Sequence, residues 1–570
     1  MLPQALTPGE IERIAVAVGG LQVRQIAVIV AGRPAAAGRA FTRRYRGAQV
    51  HVLDVRPDGM RWPTRRRVTI HRTTTLLAIH ETLSTLPSVQ ILIENAGEKA
   101  IKTGSLRHLL FHVVDGGVYV VCGIGTLRNR ALQRGRGLNV SQALNRILEV
   151  KVDSELVEHT RLPADELARA DAIDSVTRDG QLIIVRKAGT HALKLRDREA
   201  EPVLLARHGP GWGRRIDTRE PLTFRSRGRA HANRLEDSFR TEMQVPRMYL
   251  REFRDVVCAP RALVVQDNVI LPVSFHHGMR RRLLQRSLVL RLADSHFAVL
   301  DDSIARAPRL PGVYYHLDSE FPAHFGHFMT EDIAKLWGWS TARAAYPELK
   351  ILLSTDELGA EPAAFQRALL AAWGIPEADV VCIDQPARVD LLVGATQMFY
   401  NGTYVHPEMQ QVWRRLREQL RSPDGQRAPT PKRIFVTRDP DGVRTCRNGA
   451  EVEGMFVEHG FEIARPEQLT IRQQVDLFAD AEFVAGFGGS GMFSSVYSTN
   501  PGRRIVIASD EYLARNEWTI SALNGDEYHH FFGDAEVRRD NPIHPKWAFH
   551  SDFSFDFRRD GTALRALLRD

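Results

Sequence analysis

The sequence predicts an α/β protein built from several parallel-sheet units, and three stretches carry that expectation. From Arg433 to Ser509, β-rich apolar runs (434–437, 461–464, 483–486, 505–508) alternate with amphipathic helical segments (451–459, 470–478, 490–498). That is how a parallel βαβ sheet reads in a single sequence. A second alternation starts near residue 311, and a third occupies residues 1–155.

Length and composition set the outer limits. At 570 residues, with 43% hydrophobic and 25% charged residues, the chain is expected to be globular and divided into three or four domains. Its four cysteines (Cys122, Cys258, Cys382, Cys446) lack metal or disulfide spacing and point to a reducing compartment. The opening MLPQALTPGEIERIA has no basic and then apolar run, and no segment approaches ~20 uninterrupted apolar residues, so a cytoplasmic location is expected. The net charge is +9, with local runs at Arg65–Arg67 and Arg280–Arg282. Acids are nearly as numerous as bases, no recognition motif accompanies the runs and aromatics are not interleaved with them, which argues against nucleic acid. A basic surface equally suits an anionic sugar nucleotide or a lipid phosphate, and so a peripheral place on the inner face of a membrane.

In residues 1–155, buried strands are predicted at 25–32, 48–55, 89–95 and 117–123, with helices near 7–18, 75–85 and 99–111. Asp54 ends the second strand and VVDGGVYVV (113–121) reads as a glycine turn before a later strand; in both respects the unit resembles class I methyltransferases. It departs from them at AGRPAAAG, which lacks the tight glycine run that admits the methionine end of S-adenosylmethionine, so a degenerate Rossmann-like domain is expected. Residues 156–310 read as a β-rich connecting region of antiparallel strands and Arg- and Gly-rich loops. The next αβ unit, 311–430, has strands expected at 312–318, 349–354, 380–383 and 390–397 and helices at 326–340, 362–373 and 407–420. The turn-rich, apolar-poor stretch 421–431 then leads into 431–570.

Two αβ units in succession leave a cleft between the carboxyl ends of their strands, where ligands of open α/β sheets sit. On one wall, a helix starting near Gly326 places His327 and Glu331 four residues apart on one face with Asp332 beside them. Any of the three can take a proton from an attacking hydroxyl. On the other wall, Arg438 ends a strand, Arg444, Arg447 and Asn448 follow, and GFGGSG (486–491) turns from strand to helix. Glycines allow close approach, and guanidinium groups facing a helix start suit a diphosphate. Asp439-Pro440-Asp441, followed by Gly442, has the chemistry of a β-turn. His316, His324 and His327 lack zinc-site spacing.

HFGHFMTEDIAKLW (324–337), the ordered FVTRD…R…N…E series from Phe435 to Glu451, and Gly460–Gly491 ending in GFGGSG together resemble glycosyltransferase family 61, which includes capsular polysaccharide biosynthesis proteins. The likeness covers about residues 261–509. It implies a GT-B-like pair of Rossmann-type lobes, 311–430 on the acceptor side and 431–570 on the nucleotide-sugar side with a C-terminal tail. It also implies inverting transfer of a hexosyl or pentosyl group to a glycan or lipid-linked glycan, with no cofactor and no obligatory metal. His327 and Glu331 match its first motif, Arg438, Arg444, Asn448 and Glu451 its second, and Gly486, Gly489 and Gly491 its glycine turn. Many members have His where this chain has Gly488 and Asn where it has Ser494. Donor binding is therefore expected at Arg438, Arg444, Asn448, Glu451, Gly488, Gly489, Ser490 and Gly491. Two rival readings are an S-adenosylmethionine-dependent methyltransferase acting through residues 1–155, and a non-catalytic scaffold of polysaccharide assembly.

Overall fold

The computed structural model describes residues 6–31, 34–55, 66–96, 105–123, 164–276, 288–292, 296–355, 361–427, 429–439, 442–540 and 547–569. Arg65, the Arg280–Arg282 run, Pro440, Asp441, residues 32–33, the first part of the helix expected at 99–111 and the boundary near 155 lie outside the described residues. Among the described residues no helix is long and apolar enough to cross a membrane. The chain forms two compact units: Met1–Trp212 with Val265–Pro272 and Gly278–Arg306, and Gly213–Val264 with Val273–His277 and Ala307–Asp570.

The first unit is built on β1 (Gln25–Val30), β2 (Gln49–Asp54), β3 (Val68–Arg72), β4 (Val89–Asn95), β5 (Val113–Cys122), β6 (Ile173–Asp179) and β7 (Leu182–Lys187), in the order β3-β2-β1-β4-β5-β7-β6. The first five are parallel, and β7 runs antiparallel to both of its neighbours. β1 reads as an unbroken apolar run because five of its six residues are buried, as a strand covered on both faces requires. Helix Pro8–Val18 begins at a capping box of Thr7 and Glu10 and turns Ile11, Ile14 and Val18 inward. The glycine pair expected as a turn lies inside β5 instead. Gly116 has φ +71° where the register against β4 shifts, so it forms a bulge in a continuous strand. The runs of the connecting region are shared out between the units. β6 and β7, joined by a tight turn at Gly180 (φ +60°), close the first unit's sheet, while Gly213–Arg219 pairs in the second unit.

The second unit holds two Rossmann-like lobes. In the first, β8 (Met248–Ala259), β9 (Arg309–His316), β10 (Lys350–Ser354), β11 (Val380–Ile383) and β12 (Ala387–Ala395) run in the order β11-β10-β9-β12-β8. All but β8 are mutually parallel. In the second lobe, β13 (Arg433–Val436), β14 (Glu462–Ala464), β15 (Phe483–Phe487), β16 (Arg503–Ser509) and β17 (Glu527–Ala535) are parallel in the order β14-β13-β15-β16-β17. Strand Arg229–Ala232 extends the far edge, parallel to β17. Chain order reverses between β9 and β12 in one sheet and between β13 and β15 in the other. These are the switch points at whose carboxyl ends open α/β sheets bind ligands. One apolar core joins the lobes, running from Phe328 and Met329 through Trp413 and Ile434 to Met492, Phe493 and Tyr497.

Two expected helices take other forms. The segment after β9 is a short α turn (Phe325–His327), a π turn (Phe328–Asp332), a 3-10 stretch (Ile333–Gly338) and then an α-helix (Trp339–Ala345). Ile333 donates five residues back to Phe328, and carbonyls along the segment bond elsewhere: Met329 accepts from Trp413 Nε1 at 3.3 Å, Ala334 from the Met398 amide at 3.1 Å and Lys335 from the Tyr315 hydroxyl. The glycine turn leads into a 3-10 helix, Ser490–Tyr497.

Close packing at the switch point of the second lobe makes a test. A Cβ on Gly486 would stand 2.4 Å from the Val436 carbonyl oxygen and 2.7 Å from the Met492 sulfur. Gly486→Ala is therefore expected to cost about 2–3 kcal/mol of overpacking and to lower the melting temperature by several degrees. Gly454→Ala, in helix Gly449–Glu458 with open space around the position, is expected to raise stability slightly. Equal melting of the two variants would contradict the packing described for β13 and β15.

Candidate active site

Glu331 is the centre of the first wall. Its carboxylate is 2% exposed and meets three donors from three elements. His327, four residues earlier, approaches Oε2 through Nδ1 at 2.6 Å. His276, just after the 3-10 turn Pro272–Ser274, approaches both oxygens through Nε2 at 2.9 and 2.8 Å. The Asn401 amide, in the loop after β12, donates to Oε1 at 3.3 Å. Burial alone would push the Glu331 pKa up, but the charge and hydrogen bonds of His276 and His327 win and hold it well below the usual carboxylate range. On His276, burial opposes the charged form, while Glu331, helped by Glu320, outweighs it and raises the pKa.

His327 stacks on Phe321, with ring centroids 4.0 Å apart and planes 9° from parallel. With Nδ1 committed to Glu331, its Nε2 has no partner among the described residues, and a fifth of the side chain is exposed. His324 caps the turn by accepting the His327 amide on Nδ1 at 3.3 Å. Its pKa is lowered by burial first and then by His327, with Arg444 of the other lobe adding to the effect. Asp332 points elsewhere: it is 4% exposed, its Oδ1 lies 3.8 Å from Lys335 Nζ, and burial pushes its pKa up to about 6. His316 ends β9 fully buried, where desolvation keeps its pKa well below the ordinary value. Among the described residues, the group of metal-ligating side chains whose atoms converge is His276, His327 and Glu331, within 4.8 Å of one another, and not the set His316, His324 and His327.

The second wall stands at the ends of β13 and β15. Arg438 donates from Nη1 to the Gly488 carbonyl at 2.8 Å and from Nη2 to the Val443 carbonyl at 3.2 Å. Burial and then Arg444 lower its pKa, although a guanidinium stays charged in water-exposed and buried sites alike. Arg444, itself in a left-handed conformation (φ +61°), lays its guanidinium 4.7 Å from the Tyr512 ring centre and 5.4 Å from that of Phe549. Gly489 has φ +149°, and a Cβ there would overlap Arg438 Nη1 at 2.1 Å, so both backbone and space demand glycine. At Gly488 a side chain would meet Ala508 Cβ at 2.9 Å and the Tyr512 ring at 3.2 Å. Among the described residues no side chain caps the 3-10 helix at Ser490, and the amides of Ser490 and Gly491 have no partner there.

Among the described residues, the two others expected at the donor site make no hydrogen bond to the turn. Asn448 spends its amide on the backbone of Phe555, donating at 2.9 Å and accepting at 3.0 Å, and Glu451 is exposed on the first turn of helix Gly449–Glu458. Sequence reasoning missed two others. Glu517, 4% exposed, accepts from the Gly489 amide at 2.7 Å and the Tyr512 hydroxyl at 3.2 Å, and burial raises its pKa against those bonds. His276 had no spacing signal at all, since its partner lies 55 residues on. The walls meet within this unit: a Cβ on Gly326 would stand 2.8 Å from Ser490 Cβ and 3.1 Å from the Phe493 ring.

Residues 325–506 match the profile of the family Glycosyltransferase 61, a span that includes His327, Glu331, Arg438 and the glycine turn and leaves His276 and Glu517 outside. Methyltransferases are weak structural neighbours of the N-terminal part. MycE methyltransferase from the mycinamycin biosynthetic pathway, in complex with Mg and SAH, is 16% identical over 32% of this chain and 49% of its own, with a TM-score of 0.26. Human N-acetylserotonin methyltransferase in complex with SAM is 14% identical over 32% and 53%, with a TM-score of 0.19. A probable spermidine synthase from Corynebacterium glutamicum is 17% identical over 34% and 67%, also at 0.19. The chain thus spans about half the length of the first of these. No curated protein matches it significantly.

The coupling of Glu331 to His276 has a signed pH dependence. Glu331 is depressed from 4.5, so its stabilisation is complete above pH 4.5 and is lost as pH falls toward the folded pKa. His276 is raised from 6.5, so its share is complete below pH 6.5 and is lost as pH rises through the folded value. The pair contributes most between those two limits. Glu331→Gln is expected to cost about 3 kcal/mol near pH 5.5 and less near pH 9, read as the difference in melting from the parent protein. Equal losses at both pH values would show that His276 and Glu331 titrate independently.

Proposed function

We propose that the chain is an inverting glycosyltransferase that takes a hexosyl or pentosyl group from a nucleotide-sugar donor and adds it to a glycan or lipid-linked glycan in cell-surface or capsular polysaccharide synthesis. The observation that carries this reading is the contact of Gly326 with Ser490. It brings a His–Glu pair with a free imidazole nitrogen against a turn ringed by two guanidinium groups, at the carboxyl ends of two Rossmann-like sheets. The match of residues 325–506 to Glycosyltransferase 61 supports the same reaction. The two lobes of the second unit then act as a GT-B-like pair, one for acceptor and one for donor. Action on the cytoplasmic side, with peripheral attachment to the membrane when the acceptor is lipid-linked, belongs to the same proposal.

In this reading His327 is the base. Glu331 is too strongly ionised to accept a proton near neutral pH and instead holds His327 Nδ1–H, so that Nε2 presents its lone pair. Asp332, buried beside Lys335, is left out of proton transfer. The acceptor O–H loses its proton to His327 Nε2, and its oxygen forms a bond to the anomeric carbon. The bond from that carbon to the diphosphate breaks, and the electron pair leaves with the diphosphate. One displacement from the opposite face inverts the carbon. Arg438, Arg444 and the amides at Ser490 and Gly491 meet the charge that builds on the leaving group, so the step is assigned no metal.

Thermal shift of the intact protein against UDP, GDP, CDP and dTDP sugars is expected to show stabilisation by one nucleotide class, and release of the matching nucleoside diphosphate on adding acceptor gives the turnover. Arg438→Ala is expected to lower that turnover about a hundredfold, the ~3 kcal/mol that one charge-stabilising donor supplies in comparable sites. His327→Ala is expected to lower it ~10²–10⁴-fold with donor affinity retained. Full turnover in His327→Ala would remove the base from this scheme.

A further inference from the structure

His276 is held in place before its side chain does anything. The 3-10 turn that precedes it is pinned by Ser274, whose hydroxyl accepts the Val264 amide at 2.8 Å and donates to the Val264 carbonyl at 3.0 Å. Its own carbonyl accepts from Gln397 Nε2 at 2.7 Å, in the loop after β12. The ring is edge-on to Tyr400 (5.0 Å), His327 (5.7 Å) and Phe321 (5.9 Å), and only 13% of the side chain is exposed. Its remaining freedom is spent on the two oxygens of Glu331 at once.

Two kinds of chemistry could draw two imidazoles and a carboxylate together. Ligands of one divalent ion, each about 2.0–2.1 Å from it, stand roughly 3.3 Å apart in a tetrahedral shell. The contacts here are 2.6, 2.8 and 2.9 Å, the lengths of charge-assisted hydrogen bonds. The hydrogen-bonded arrangement is also complete: two N–H groups and the Asn401 amide satisfy the buried carboxylate.

We infer that His276 is a positioning residue for the proposed base: by bridging both oxygens of Glu331 it fixes the carboxylate plane so that Oε2 faces His327 Nδ1, and it offsets the carboxylate's charge. The inference rests on the proposed function for its catalytic meaning and on geometry alone for the relay. Without that offset the whole negative charge of Glu331 would fall on His327 and favour its protonated form, which cannot accept a proton. Among the described residues, the other charged and titratable groups around the three are Glu320, Asp332, Lys335, His324 and Tyr400, with Arg444 beyond His324.

The test uses the full chain with two substitutions. His276→Gln keeps an N–H at the Nε2 position and cannot carry charge; His276→Leu removes both. For His276→Gln, the His327 imidazole titration followed by NMR, and the acid limb of kcat/KM, are expected to move up by about one pH unit, with most of kcat kept at the new optimum. His276→Leu is expected to lose kcat about tenfold or more even there. Unchanged His327 titration in His276→Gln would overturn the inference, whatever happens to stability. So would a stoichiometric divalent ion bound by the parent protein and lost from both variants, because the cluster would then be a metal site. The NMR arm needs no donor. A shifted titration in a protein that turns over no sugar nucleotide would therefore sustain the relay and remove the transfer reaction.

Discussion

Burying the Glu331 carboxylate is the constraint on which the arrangement of the second unit's site depends. An ionised carboxylate out of water costs several kcal/mol unless donors replace its hydration, so each of its lone pairs has to be met by a group already in position. The donors come from a turn after β9, a loop after β12 and a segment that follows β8. No two of these are neighbours in sequence. The charge therefore makes three separate folding events consistent with each other at the carboxyl edge of one sheet, where the reversal of strand order between β9 and β12 leaves room for it.

The irregular helix after β9 follows from the same requirement. An ordinary α-helix from Gly326 would bond each carbonyl four residues on. The wider π turn releases that ladder, and the freed backbone is affordable only because Trp413, Tyr315 and the Met398 amide are there to accept the change. Thr330 contributes a fourth bond, from its hydroxyl to the Gly326 carbonyl at 2.8 Å. Single π turns of this kind occur often at functional sites, where they re-aim a side chain without ending the helix. Here the irregular segment carries His327 and Glu331, four residues apart.

Much of the fold was legible in the chain. Apolar runs such as Val89–Asn95 and Leu182–Lys187 became strands with those bounds, because strands buried inside a sheet leave little choice of residue. The helices expected from residues 7 and 470 begin where Thr7 and Thr470 cap them in the structure, for an equally local reason. What could not be read was set by distant partners. Periodicity does not distinguish α from π or 3-10 turns when the deciding donors are Trp413 and Met398, and a glycine pair in β5 signals a bulge only once β4 lies beside it. Of the candidate site, His327, Glu331, Arg438 and the glycine turn could be singled out by residue type and spacing. Glu517 and His276 could not, since an isolated acid or histidine carries no pattern until folding brings its partner within 3 Å.

Glu517 also narrows how an anion can sit on the glycine turn. The Gly489 amide, next in chain to the carbonyl that Arg438 bonds, is already donated to the Glu517 carboxylate, which Tyr512 and the neighbouring guanidinium groups help to hold. A second anion at that amide would face a carboxylate across a short distance in a low-dielectric setting, and the repulsion would exceed the gain from one hydrogen bond. In the proposed reaction a donor diphosphate would therefore be directed away from Gly489, toward the guanidinium of Arg444 and the amides at the start of Ser490–Tyr497. That side of the turn is the one in contact with Gly326. Under the proposed function, the Glu517 carboxylate would bias the donor toward the wall that carries His327. A glycine at position 488 fits the same geometry, because Tyr512, which bonds Glu517, fills the space a larger residue would need.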